Sequence, residues 1–143
     1  MNMKDVMISI VGMQDYGEDG DDSIELVTDG QYCYQDGYGQ LVYMESELTG
    51  LEGTKTSFTI GPMSVVMQRE GRLNTRMVFE EGQKHHFLYE TPFGMATMAV
   101  NTNRVFTKLD EHGGDMEIDY VIDFEHSAVG RNKFRINVRE LNS

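Results

Sequence analysis

The sequence predicts an all-β fold: an antiparallel up-and-down β-barrel of about eight to ten strands, with little or no helix. Three observations predict it. Apolar residues recur at every second position along much of the chain, helix-period spacing is missing, and glycine-containing turn signals separate the alternating runs.

The elements follow in order. A first strand over 4–15 alternates Val6, Ile8 and Ile10 with Met7 and Ser9. The acidic stretch from Asp15 to Asp22 turns the chain into a second strand over 23–34, where Ile24 and Leu26 flank Glu25. Gly30 lies inside that strand and is expected to kink or bulge it rather than end it. Asp36-Gly37 supplies the positive φ of a tight hairpin turn into a third strand over 39–48. Further strands are expected over 54–60, 63–70, 73–80 and 84–91, separated by Gly61-Pro62, Glu70-Gly71 and Glu81-Gly82. Pro92-Phe93-Gly94 leads into a strand over 95–108, and Gly113-Gly114 into one over 115–126. In the latter, Ile118, Tyr120, Ile122 and Phe124 alternate with Glu117, Asp119 and Asp123. After Gly130, a last strand over 132–140 sets Phe134, Ile136 and Val138 against Lys133, Arg135 and Arg139. Such strands have one face on a core and one in water.

The pattern leaves a sandwich open beside the barrel. The barrel is favoured because a row of consecutive hairpins has two exposed edges unless the sheet closes on itself. The chain has 143 residues, one cysteine and no tryptophan. That length makes 1–143 a single domain, expected to bury roughly 70% of its unfolded surface without a disulfide or cofactor. Cys33 stands alone, which fits a reducing compartment. No secretory leader and no apolar run of the ~18 residues needed for a membrane span is present, so the cytoplasm is the expected location.

The net charge is −12, and residues 1–60 hold twelve acids against only Lys4 and Lys55. Such a chain is repelled by phosphate backbones and by anionic lipid, so neither nucleic acid nor membrane is an expected partner. The segment Glu25-Leu26-Val27-Thr28-Asp29-Gly30-Gln31-Tyr32, then Leu41-Val42-Tyr43-Met44-Glu45, then Tyr89-Glu90-Thr91-Pro92-Phe93-Gly94, resembles the YwiB-like family of uncharacterised bacterial proteins. The resemblance runs over nearly the whole chain. It implies a lipocalin-like, calycin-type β-barrel and a bacterial cytoplasmic origin. It supplies no activity and no catalytic residues.

Chemical signatures are sparse. Aligned as a calcium loop with Gly20 at its sixth place, the acidic turn puts Gly17 at the third and Leu26 at the twelfth, where oxygen ligands are needed. It reads as a solvated turn. His85 and His86 are adjacent on a strand and point to opposite faces, so they cannot share one ion. His112 falls in a glycine-rich turn, and no metal or cofactor is expected. No nucleophile elbow or phosphate loop occurs. Glu45 and Glu47 share a strand face and read as solvated. An enzyme is therefore less expected than a binding protein.

Strand parity is more informative. It places Arg69, His85, Tyr89, Tyr120 and Tyr32 on the inner face among apolar residues. Polar tips on apolar bodies suit a cavity that takes a small, partly apolar molecule. Arg69 or His85 would meet an anionic end, and the tyrosines would give hydrogen bonds and flat surface. The same parity places Val66, Val78 and Leu88 outward on three successive strands. That stripe supports the alternative, a protein–protein interaction module that forms a homodimer and binds no small molecule.

Overall fold

The structure, a computed structural model, describes residues 2–15, 21–47, 51–71, 74–91, 93–124 and 127–141. The centre of the acidic turn, 16–20, lies outside the described residues. Ten strands follow one another: β1 (Lys4–Asp15), β2 (Asp21–Gln35), β3 (Tyr38–Met44), β4 (Lys55–Ile60), β5 (Ser64–Glu70), β6 (Thr75–Glu80), β7 (Lys84–Thr91), β8 (Gly94–Asp110), β9 (Gly113–Phe124) and β10 (Ser127–Glu140). They form one antiparallel sheet in the order β6-β5-β4-β3-β2-β1-β10-β9-β8-β7. The sheet curls until its two end strands, β6 and β7, meet and nearly close a barrel.

The turn chemistry acts as the sequence implies at Asp36 and Gly37, whose φ values of 54° and 85° make the two-residue hairpin that matches strand twist. Four other glycines differ from their sequence reading. Gly30 neither bulges nor breaks β2, because the β1–β2 ladder runs in register from Lys4↔Tyr32 to Asp15↔Asp21. Its role is close approach: a Cβ there would stand 2.5 Å from the Val42 carbonyl oxygen and 2.6 Å from Ile8 Cδ1. Gly113 and Gly114 open β9 and pair with Asp110 and Leu109, so the turn itself falls on Glu111 and His112. Gly130 lies within β10, at a register shift against β9, where it bends the strand instead of starting it.

Inward side chains fill the lower barrel. Val6, Ile8, Leu41, Val65, Phe79, Ile118 and Ile136 are fully enclosed. Above them an aromatic cluster crosses the lumen. Phe79 meets Tyr120 at 5.0 Å between ring centroids and Phe134 at 5.7 Å, and Phe58 meets Phe134 at 5.9 Å. These tilted and edge-on contacts are the favoured aromatic geometries.

The outer face of β9 and β10 carries charge. Arg131 grips Asp119 through two hydrogen bonds of 3.1 and 2.8 Å, while Lys133 and Arg135 reach Glu117 at 2.8 and 3.4 Å. The Lys133 hydrogen bond holds the Glu117 carboxyl below its ordinary value of 4.5, and the Arg131 hydrogen bond holds Asp119 below 3.8. Among the described residues no helix is long and apolar enough to cross a membrane.

Two tests follow from this architecture. Gly30→Ala forces the Val42 backbone to shift, and we expect a loss of about 1–3 kcal/mol in urea denaturation; an unchanged midpoint would contradict the close approach. Glu117 and Asp119 stabilise the fold fully above their ordinary values and release that stability as pH falls through their lower folded values. Lys133→Met should therefore lose less stability than the wild type between about pH 6 and about pH 3. Equal losses would show that the ladder contributes nothing.

Candidate functional site

The site is built where the barrel ceases to be packed. Above the aromatic cluster a cavity of about 450 Å³ opens toward the end at which β1, β5, β7 and β9 finish. Met77 of β6, Phe87 of β7, Met98 of β8 and Ile122 of β9 form its apolar wall. Tyr120 is its floor, wedged against Phe79 and Phe134. Arg69, Thr75, Tyr89 and Asn132 add polar groups, and Arg131, held outward by Asp119, reaches the rim.

Arg69 is the charged group of the wall. It sits on β5 opposite Thr56 of β4 and Thr75 of β6, on the inward parity shared with Val65 and Met67. Its Nε is buried, and among the described residues nothing accepts a hydrogen bond from it. Its charge is felt by two tyrosines. Burial pushes the Tyr120 hydroxyl up, with Arg69 acting in the opposite sense, and the same opposition holds at Tyr43. Tyr120 thus stays a neutral hydroxyl beside a cation, able to donate or accept one hydrogen bond.

Arg69, Tyr89 and Tyr120 come together at this cavity, while His85 and Tyr32 do not line it. His85 lies near the β6–β7 turn, where its Nε2 stands 2.9 Å from Glu80 Oε1. Tyr32 is fully buried at the opposite end of the barrel and donates to the Asp110 carbonyl oxygen at 2.7 Å, tying β2 to β8. Parity identifies which face a residue takes. It does not give the height along the barrel axis.

The outer stripe is also divided. Val66 and Val78 face each other across β5 and β6. Leu88 lies apart, because its carbonyl accepts from Thr75 Oγ1 at 3.3 Å, three residues along β6 from Val78. Leu88 is 56% exposed and shares an outer cleft with Gln68, Arg76 and His86.

A group missed in the sequence is Glu45. Instead of lying on a solvated face with Glu47, it is buried and accepts from Thr56 Oγ1 at 2.8 Å. Tyr43 also hydrogen-bonds it, which adds to the burial that raises the Tyr43 hydroxyl. The signal was present: Glu45 continues the inward parity of Leu41 and Tyr43.

Three comparisons bear on identity. The family model described as a domain of unknown function, DUF1934, matches residues 8–136. No curated protein matches the chain. The crystal structure of the ywiB protein from Bacillus subtilis is similar, with a TM-score of 0.78 over 96% of this chain and 92% of that one. At 19% sequence identity that likeness is one of fold. Ten strands closing almost into a barrel and a family match spanning nearly the whole sequence agree, and the chain belongs to the YwiB-like DUF1934 family.

Proposed function

We propose that this protein binds a small, partly apolar anion in the open end of its barrel. Arg69 meets the charged end, and Tyr120 and Tyr89 supply hydrogen bonds and flat apolar surface. Met77, Phe87, Met98 and Ile122 take the apolar part. The observation that carries this reading is the buried Arg69 Nε, which has no acceptor among the described residues, on a side chain that lines a cavity large enough for a ligand. A buried donor left unpaired costs about 1–3 kcal/mol, which an anionic acceptor would recover. The volume falls within the roughly 300–1,000 Å³ range of small-molecule sites.

The cytoplasm is the compartment that this reading assumes. The single buried thiol of Cys33 is in keeping with reducing surroundings. The charged outer face of β9 and β10 is suited to water rather than to lipid.

The test is direct. Native mass spectrometry of protein purified from its host should show an adduct of small mass that denaturation releases. With the purified chain, dodecanoate should bind, and Arg69→Met should weaken it about tenfold or more, since a charge-assisted hydrogen bond is lost. Thermal stability should hold or rise in that variant, because a buried unpaired donor is removed. A wild-type protein that carries no adduct and binds neither dodecanoate nor a neutral hydrophobic fluorophore would overturn the proposal.

A further inference from the structure

The cavity lies against the junction where the barrel wall is left unpaired. Every neighbouring pair of strands in the sheet is joined by a ladder, but β6 and β7 stand at its two ends and share none. At one end this junction is tied to β8. A bulge between Thr102 and Arg104 displaces that strand, and the β6–β7 turn docks on it: Gly82 N donates to the Thr102 carbonyl at 2.8 Å, and Thr102 N to the Gln83 carbonyl at 3.2 Å. The turn also closes on itself, with Gln83 N donating to the Glu80 carbonyl at 2.9 Å, but among the described residues no ladder between β6 and β7 continues from it. Toward the open end, the Thr75 hydroxyl spans the gap to the Leu88 carbonyl.

A second hollow of about 550 Å³ lies along this seam on the outside of the barrel. Arg69, Thr75 and Phe87 line both it and the inner cavity, so these three residues stand between the two spaces. Both are mixed in chemistry. The inner wall sets Met77, Phe87, Met98 and Ile122 beside Gln14, Arg131 and Asn132, and the outer cleft sets Leu88 and Met95 beside Gln68, Asn74, Arg76 and His86. On a chain of net charge −12, this cleft sets Arg69 and Arg76 against Glu70 alone. Among the described residues neither arginine has a carboxylate within ion-pair distance.

We infer that the seam between β6 and β7 is a head-group subsite, and that the ligand is an amphipathic anion lying through it. Its carboxylate or phosphate head rests within the wall, between the inward Arg69 and the outward Arg76, and its aliphatic chain passes Thr75 and Phe87 into the barrel, displacing the bond from Thr75 to Leu88. This rests on the function proposed above and adds to it the ligand's class and orientation. Charge would be recognised at the wall, where water reaches it, and the chain would be taken up where water is excluded. A guanidinium pair suits either head group, since each arginine offers forked donors to oxygen anions.

The experiment uses the full chain with 1-aminoanthracene, a neutral fluorophore, as reporter of the inner cavity. Dodecanoate, dodecyl phosphate and dodecanol compete for it, the first two separating the head-group sources. We expect both anions to displace the reporter at least about tenfold more effectively than the alcohol. Arg76→Gln should cut that preference about fivefold or more, and Arg76→Lys should restore part of it. Reporter affinity should be the same in both variants, because Arg76 is exposed and does not line the inner cavity. If reporter binds but the three competitors displace it equally, or if Arg76→Gln leaves the preference intact, the head-group subsite is overturned while the cavity reading stands. If neither reporter nor any competitor binds, both readings fall together.

Discussion

Each strand in a sheet carries two rows of N–H and C=O groups, and each row must find partners or water. In this chain that requirement organises nearly everything else. Successive hairpins satisfy one strand with the next, and β1 meets β10 across the middle of the sheet, so the ends of the chain lie in the centre of the ladder order. The unsatisfied rows fall on β6 and β7. They are consecutive in sequence and joined by a turn that Gln83 N closes on the Glu80 carbonyl, while Gly82 and Gln83 also bond to Thr102. Among the described residues no ladder continues from that turn, so closure is left incomplete. The cavity lies against this unpaired junction, with Thr75 of β6 and Phe87 of β7 in its wall.

The packing obeys the same division. Below the aromatic cluster, side chains on the inner face are enclosed, and the Tyr32 hydroxyl is bonded to Asp110. Above it the inner face opens, and polar groups without such partners appear, Arg69 foremost. A barrel of this strand number has an interior that side chains can fill or a single small molecule can share. Here both conditions occupy different heights of one lumen.

Much of the fold was legible in the sequence because strand alternation has a fixed period of two. Ile118, Tyr120 and Ile122 could be assigned to the inside without any knowledge of their partners, and so could Arg69 beside Val65 and Met67. What alternation lacks is an axial coordinate. His85 and Tyr32 share the inner parity of Tyr89 and Tyr120, yet one sits beside the β6–β7 turn and the other at the far end. Bulges were illegible for a related reason. The shifts at Thr102/Arg104 and Ala128/Gly130 arise from long-range pairing, and nothing local in Asn103 announces one. Gly30 misled in the opposite direction: its missing side chain makes room for Val42, a neighbour twelve residues away.

The bond from Tyr32 to Asp110 carries a wider meaning. It spans the lumen at the end opposite the cavity, among Val6, Leu41 and Val138, and seals that end with apolar bulk. The barrel is therefore closed at its base. The open end and the seam between β6 and β7 both lie away from that seal, so a molecule seated in the cavity could reach water only there. Such a shape is suited to holding a molecule rather than to conducting it.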